Sequence, residues 1–221
     1  MMNKIDRRSF ILGGAGLLGL SPLFASAASD TASRKPNIVF ILADDMGYAD
    51  VGCFGARDYR TPNIDRIAAE GVKLTQAYAN SAVCSPTRIA LITGRYQYRL
   101  PAGLHEPIAA DRSVGLPPEH PTLPSLLKRR GYRTALVGKW HMGYPPSFGP
   151  LKSGYERFYG IYTGAADYFT HELKLQGAVR DRGVFDNDRE TNDVGYMTDL
   201  LGDRAVDEVA AAAAAKQPLF L

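Results

Sequence analysis

The sequence predicts an α/β fold built around a largely parallel sheet. An apolar run at 37–43 and a strand-like segment at 132–138 are each followed by polar residues. Segments with helix-capping residues lie between them. Strands that alternate with helices are typical of parallel sheets, because parallel strands need a crossover connection. Ligands gather beyond the carboxyl ends of such strands, so we expect the functional residues there.

The first strand is predicted over 37–43. This run is unbroken, apolar and partly β-branched, which is the pattern of a strand buried on both faces of a parallel sheet. It ends at Asp44 and Asp45. Adjacent carboxylates at a strand end can bind a hard cation such as calcium or magnesium. A strand-end turn or a helix cap is the alternative interpretation.

A short helix and a second strand are predicted next. Thr61 is suited to cap the helix, Pro62 to take its first position and Gly71 to end it. Residues 72–78 then have strand-like composition.

Another helix is predicted next to Cys84. Ser85 is the expected cap, Pro86 the first helical residue, and Gly94 follows a predicted end at Thr93. Cys84 would then lie just outside the helix N-terminus, where free N–H groups and the helix dipole favour anions.

The rest of the chain repeats this order. Residues 122–130 are predicted to be helical and 132–138 to form a strand. The stretch 142–192 is rich in glycine, proline, tyrosine and charge, and we expect mostly loop. A last helix is predicted over 199–216, which contains six consecutive alanines.

Composition excludes several functional classes. The 221 residues are 45% apolar and 22% charged, as in ordinary soluble globular proteins. The formal net charge is +3, without a basic run interleaved with aromatics, so no nucleic-acid partner is expected. Cys53 and Cys84 lack metal-site spacing and make no disulfide framework, although they could pair in an oxidising compartment.

The N-terminus has the pattern of a targeting segment. Residues 6–12 resemble a twin-arginine export signal, and the glycine-rich apolar stretch 10–24 is too short for a spanning helix. Residues 25–27 offer a small-x-small cleavage site. We therefore expect a signal peptide at 1–27, a flexible leader at 28–36, and a periplasmic or secreted protein exported by the twin-arginine machinery without a stable membrane anchor. An uncleaved anchor is the alternative.

The pentapeptide Cys-Ser-Pro-Thr-Arg at 84–88 is the most informative segment. It resembles the C-x-P-x-R nucleophile motif of type I sulfatases, and its continuation to Arg95 resembles the longer segment that their maturation enzyme recognises. In that family the cysteine becomes formylglycine, an aldehyde that hydrates to a geminal diol. A buried cysteine at a helix start is the alternative.

Other segments carry the same resemblance, namely 35–48, 61–65, 138–143, 154–156 and 164–168. The resemblance extends over nearly the whole of the chain after its leader. The chain is therefore identified as a member of the arylsulfatase-like, formylglycine-dependent sulfatases of the alkaline phosphatase superfamily. The resemblance implies that 37–221 is the N-terminal part of a catalytic domain with an alkaline-phosphatase-like, largely parallel sheet flanked by helices.

The resemblance also implies a metal site. It assigns Asp44, Asp45 and the modified Cys84 to one divalent cation, usually calcium with magnesium as the alternative. The modified Cys84 would be both ligand and nucleophile.

Three further residues receive catalytic roles from the resemblance. Arg88 would steady the hydrated aldehyde, and Lys139 would touch both the hydrate and the sulfate. His141 would hydrogen-bond the hydrate and help its second hydroxyl lose a proton. Lys139 and His141 alternate along an extended segment and so point to one side, although a solvent-exposed strand end would have the same pattern.

The resemblance implies as well what the chain lacks. A second active-site histidine, an Asp-Asn pair for the metal, a further lysine and a smaller C-terminal domain follow in the family. We therefore expect a chain truncated on its C-terminal side and poorly active by itself. Partners would be a sulfate-ester substrate and a formylglycine-generating enzyme. Alternatives are a phosphonate monoester or phosphodiester hydrolase of the same superfamily, or a non-catalytic module that binds sulfated glycans.

Overall fold

A computed structural model describes residues 35–109, 112–175, 178–181 and 183–221. The predicted signal peptide and most of the predicted leader lie outside the described residues. The described strands are β1 (Arg133–Lys139), β2 (Arg157–Ile161), β3 (Leu173–Leu175), β4 (Ala178–Asp181), β5 (Phe185–Asp186), β6 (Arg189–Glu190) and β7 (Leu219–Phe220). The described α-helices are α1 (Pro62–Glu70), α2 (Cys84–Thr93), α3 (Leu123–Arg129) and α4 (Met197–Ala214).

Five of these strands form the main sheet, in the order β6-β5-β2-β1-β7. β1 pairs parallel with both β2 and β7, whereas β5 and β6 join antiparallel at one side. β3 and β4 form a separate antiparallel pair. The predicted α/β class with a mostly parallel sheet is confirmed.

The first predicted strand is only partly confirmed. Its backbone runs beside β7, since the Ile38 N–H donates to the Leu219 carbonyl and the Phe40 N–H to the Leu221 carbonyl, each at 2.7 Å. It was expected to be buried on both faces, but Ile41 is 78% exposed. The segment lies at the edge of the described sheet with a neighbouring strand on one side only, which explains the exposure.

Helix α2 begins earlier than the capping pattern predicts. Val83 is its N-cap, so Cys84 lies inside the first turn rather than just outside it. The prediction that Ser85 caps this helix is wrong, because its hydroxyl accepts the backbone N–H of Ile108 at 3.1 Å. Gly94 ends the helix as predicted, in the left-handed region with φ 63°.

Two other element predictions are corrected by the structure. Residues 72–78 form no strand, and Val72, Leu74 and Tyr78 are exposed. The loop predicted for 142–192 contains β2, a central strand whose Phe158 and Tyr159 are buried. The strand was not predicted because the glycines and charged residues around its aromatic core residues are typical of loops.

The remaining helices agree with their capping signals. The Thr122 hydroxyl accepts the Ser125 N–H at 3.2 Å, and the Ser125 hydroxyl accepts the Thr122 N–H at 2.9 Å, which together cap α3. α1 follows Thr61 and begins at Pro62. α4 begins two residues before the predicted start, at Met197. Across the described part of the chain, no helix combines the length and apolar character needed to span a membrane.

The residue that follows β1 is anchored in the core. Trp140 is fully buried, and its indole N–H donates to the Phe148 carbonyl at 2.9 Å. The Trp140 ring also meets Tyr155 edge-on, with 6.3 Å between centroids. Because Trp140 is anchored in this way, the neighbouring residues Lys139 and His141 have fixed backbone positions.

Candidate active site

Beyond β1, backbone pairing continues with the last residue of β2 and the residue after it. The Trp140 N–H donates to the Ile161 carbonyl at 2.9 Å, and the His141 N–H donates to the Tyr162 carbonyl at 3.1 Å. Lys139 is the last residue of β1, whereas His141, beyond the buried Trp140, has a left-handed backbone with φ 55°. The predicted extended segment therefore does not reach His141. The carboxyl end of β1 is the sheet edge where the sequence predicted functional residues.

Three of the predicted site residues meet at this edge. The Lys139 ammonium donates to the Asp44 carboxylate at 2.6 Å, and the Arg88 guanidinium lies 3.6 Å from the other carboxylate oxygen. Arg88 also donates to the Lys139 backbone carbonyl at 2.7 Å. One carboxylate and two cations thus come together from the end of the first segment, from α2 and from β1.

These contacts shift the pKa of two groups. Partial burial by itself would raise the pKa of Asp44, but the hydrogen bond and charge of Lys139, with the charge of Arg88, outweigh burial and lower it below 3.8. Burial lowers the pKa of Arg88 from its ordinary value, although Asp44 opposes this shift. An arginine remains cationic at any physiological pH. At neutral pH the cluster therefore carries one negative and two positive charges.

The predicted nucleophile opens onto the same space. Cys84 is a partly buried free thiol in the first turn of α2. It lines a cavity of about 590 Å³ together with Asp44, Asp45, Arg88 and Lys139. The first turn of a helix offers unpaired N–H groups, and two cations face the same cavity, so an anionic group is favoured there.

His141 is the one predicted site residue that does not line this cavity. Its side chain is buried, with Nε2 at 3.0 Å from the Ile108 carbonyl oxygen. Burial, followed by the charge of Lys139, lowers the pKa of His141 to about 4. The imidazole is consequently neutral at pH 7.

The metal site stays a prediction, and only the chemistry of its donors can be described. Asp44 and Asp45 present hard carboxylate oxygens to the cavity that Cys84 lines, as a calcium ion requires. Asp45 follows the strand end in a left-handed conformation with φ 57°. Within residues 35–109, 112–175, 178–181 and 183–221, no three His, Cys, Asp or Glu side chains are grouped closely enough to hold a metal. The donors fit a cation but form an incomplete set.

Comparison with known proteins decides the family. The sulfatase family profile matches residues 36–221. The chain belongs to the sulfatase family. It is 38% identical over 199 residues to mouse (Mus musculus) arylsulfatase J, covering 88% of this chain and 32% of that protein. It is 36% identical over 221 residues to mouse N-acetylgalactosamine-6-sulfatase, covering 93% of this chain and 42% of that protein.

Solved structures agree with this assignment. The crystal structure of Ps i-CgsB superposes with a TM-score of 0.78 at 36% identity, covering 85% of this chain and 44% of that chain. The same protein in complex with k-i-k-neocarrahexaose gives a TM-score of 0.76 at 35% identity. This sulfatase chain spans less than half the length of these relatives.

Sequence reasoning missed three groups around His141. They are the Ser85 hydroxyl, the Ile108 peptide and Gly164, whose α-carbon faces the imidazole. Ser85 stands in the pentapeptide and Gly164 in the segment 164–168 that carries the family resemblance, but neither residue type has a catalytic signal of its own. Ile108 acts through its backbone, which a side-chain pattern cannot reveal.

Proposed function

We propose that the protein to which this chain belongs hydrolyses sulfate esters, using a formylglycine made from Cys84. The single observation that carries the proposal is the shared cavity of Cys84, Arg88 and Lys139 in a chain of the sulfatase family. A sulfate ester is anionic and repels a nucleophile. Two cations beside the nucleophile neutralise that charge, and they stabilise the additional charge that develops in the transition state.

The proposed reaction starts from the hydrated aldehyde at position 84, after a maturation enzyme has oxidised the thiol. One hydroxyl attacks sulfur, the bond from sulfur to the ester oxygen breaks, and the alcohol leaves with a proton. The sulfated diol then loses the proton of its second hydroxyl to His141, re-forms the aldehyde and expels sulfate. Water adds to the aldehyde and restores the diol. Serine would lack the second hydroxyl and would remain sulfated.

The side chains divide this work by position. Lys139, which also holds Asp44, would contact the sulfate, and Arg88 would hold the diol from the far side. His141 is neutral at pH 7 because burial lowers its pKa to about 4, so its free nitrogen can accept a proton. These roles suit the charges and burial of the three residues.

We propose further that Asp44, Asp45 and an oxygen of residue 84 hold a divalent cation, calcium or its alternative magnesium. When bound, the cation would add positive charge at the reacting sulfate. Calcium takes about six to eight oxygen ligands, more than these three residues supply. The other ligands would come from water or from parts of the protein beyond the described residues. For this reason we expect residues 37–221 alone to hydrolyse sulfate esters poorly.

Export forms part of the proposal. The twin-arginine-like segment within 1–27 would carry the folded protein across the inner membrane to a periplasmic or secreted location. That route suits a protein whose modified residue is made in the cytosol.

The decisive experiment is mass spectrometry of the Cys84 peptide. Produced with a formylglycine-generating enzyme, the protein should carry an aldehyde at position 84. Cys84→Ala should remove turnover of nitrophenyl sulfate and N-acetylgalactosamine-6-sulfate while leaving the fold intact. Cys53→Ala is the matched control, because Cys53 is the other free thiol and does not line the cavity. An unmodified, alkylatable thiol in every molecule would contradict the proposal. Faster turnover of a phosphonate monoester or phosphodiester would reassign the substrate, and sulfated-glycan binding without turnover would indicate a binding module.

A further inference from the structure

Among the described residues, hydrogen bonding holds His141 on one side of its ring only. Its Nε2 lies 3.0 Å from the Ile108 carbonyl oxygen, and only an N–H at that position can bond to a carbonyl. Its Nδ1 is buried and has no hydrogen-bond partner among the described residues. In a neutral imidazole with a proton on Nε2, Nδ1 is a bare acceptor, which is costly to bury unless a donor is supplied to it.

The Ile108 peptide that sets this arrangement is itself tied to the nucleophile helix. Its N–H donates to the Ser85 hydroxyl at 3.1 Å, and Ser85 is completely buried beside Cys84. One peptide group therefore links the first turn of α2 to the ring of His141. A shift of that turn relative to β1 would be transmitted to the imidazole.

Gly164 is a second group that limits the position of the His141 ring. A Cβ at this position would stand 2.5 Å from Cε1 and 2.7 Å from Nε2 of His141, closer than real Cβ contacts allow. Gly164 also lines the cavity shared by Cys84, Arg88 and Lys139. Its φ lies outside the left-handed region, so backbone conformation does not require glycine here. The close approach of the imidazole does.

We propose that Ser85, the Ile108 peptide and Gly164 are positioning groups that hold His141 as its Nε2–H tautomer, which makes Nδ1 the nitrogen that serves the reaction. The inference deepens the proposed sulfatase function and rests on it for the role of Nδ1. The donor that Nδ1 lacks among the described residues would be the second hydroxyl of the hydrated aldehyde. Ring tautomer, rather than ring presence alone, would then decide whether His141 can accept that proton.

The tautomer can be read directly from ¹⁵N NMR of the histidine rings at pH 7. The signals of His141 are assigned by their loss in His141→Gln. We expect a protonated Nε2 and a non-protonated Nδ1, and Gly164→Ala should shift both resonances or mix the tautomers. Gly202→Ala is the matched control, because a Cβ at Gly202 meets open space. A proton on Nδ1 in the unsubstituted protein, or unchanged His141 resonances in Gly164→Ala, would overturn the inference.

Kinetics separate this inference from the proposed function. In the longest form of the protein that its gene encodes, with formylglycine content checked by mass spectrometry, Gly164→Ala should lower kcat for nitrophenyl sulfate roughly 100-fold with KM nearly unchanged. Ser85→Ala should lower kcat in the same direction. Equal kcat in Gly164→Ala and Gly202→Ala would contradict the positioning role. The expected tautomer in a protein that hydrolyses no sulfate ester would instead refute the proposed function and leave the positioning contacts standing.

Discussion

Asp44 illustrates how one residue can serve both the fold and the proposed chemistry. Its carboxylate accepts a hydrogen bond from Lys139 and faces Arg88, so its negative charge offsets the repulsion between these two cations. The proposed cation would compete for the same oxygens. Binding of a metal would therefore loosen Asp44 from Lys139 and free the ammonium for a sulfate.

The first residue-scale prediction tests this pairing. Lys139→Met should raise the pKa of Asp44, because it removes the hydrogen bond and charge that hold this pKa below 3.8. A depressed carboxyl pKa contributes stability above the unfolded value, and that contribution is lost as pH falls through the folded value. Carboxyl ¹³C NMR titration measures the change directly. Lys128→Met is the control, since Lys128 pairs with Glu156 at 3.7 Å away from the cavity. An unmoved Asp44 titration would show that the pairing has no energetic weight.

His141 yields a prediction with the opposite chemistry. Its pKa is about 4 when folded against an ordinary 6.5, so the unfolded chain binds the proton first as pH falls. Above pH 6.5 His141 is neutral in both the folded and the unfolded chain, so it does not change the free energy of unfolding. Between 6.5 and 4 the free energy of unfolding should fall by about 3 kcal/mol because of this group.

The variant His141→Gln should remove most of that loss. Denaturant unfolding at pH 7, 5.5 and 4 measures it, with His105→Gln as the control because His105 is exposed. The same pH dependence in His141→Gln and the unsubstituted chain would mean that His141 does not remain neutral in the folded state.

At the scale of elements, α4 is fastened to the sheet by a buried carboxylate. Glu208 accepts from Arg133 of β1 through Nε at 3.0 Å and Nη2 at 2.7 Å, and from Arg157 of β2 at 3.4 Å. Only 5% of Glu208 is exposed. Two strands and one helix thus share one ionic centre, with Asp186 of β5 contacting Arg157 at 3.1 Å.

Glu208→Ala should destabilise the folded chain by roughly 2 kcal/mol. Removing one partner of a fully buried pair costs about 3–5 kcal/mol, and the two arginines here keep some access to water, which lowers the loss. Thermal and urea unfolding provide the measurement. Asp207→Ala is the matched control, because Asp207 is the exposed neighbour on the same helix. Equal stability of the two variants would show that α4 is held by apolar packing alone.

Elements with local signals were predictable, and those defined by distant contacts were not. Pro62 and Thr122 announced α1 and α3, because capping acts within a few residues of the sequence. β2 was not predicted, because it is defined by its pairing with β1, which runs along its whole length. Gly160 of β2 approaches the Gly138 carbonyl so closely that a Cβ would lie 1.9 Å from it, so a residue that looks like loop is required by the neighbouring strand.

The same division applies to the site. Cys84, Arg88 and Lys139 were identified from motifs, and the structure brings them to one cavity with Asp44 and Asp45. The contacts of the His141 ring could not be predicted from the sequence, because they involve a backbone carbonyl and a glycine that fits only because it has no side chain.

At the scale of the whole molecule, the distribution of apolar surface is uneven. The strand-like segment beside β7 exposes Val39, Phe40, Ile41 and Leu42, which follow one another along the sheet edge. An exposed, apolar sheet edge is a template for pairing with other chains. By contrast β1, which lies between β2 and β7, has a paired strand on each side.

This surface leads to a prediction about the chain in isolation. Residues 28–221, produced with the maturation enzyme and calcium, should bind a hydrophobic dye, associate as concentration rises and melt with low cooperativity, because the exposed edge offers both backbone donors and apolar side chains. Ile41→Lys should raise solubility and lower dye binding, since a charge on an edge strand blocks further pairing. Val194→Lys is the control, because Val194 is 91% exposed but lies outside the sheet.

The same pair of variants distinguishes an edge that stays open from one that becomes covered. In the longest form of the protein that its gene encodes, Ile41→Lys should lower the melting temperature if further chain packs on this segment, because a buried lysine must lose its hydration. Val194→Lys should leave the melting temperature unchanged there. A monomeric, dye-negative and cooperatively melting 28–221 would contradict the argument, because it would show that the apolar edge is tolerated in water without any partner.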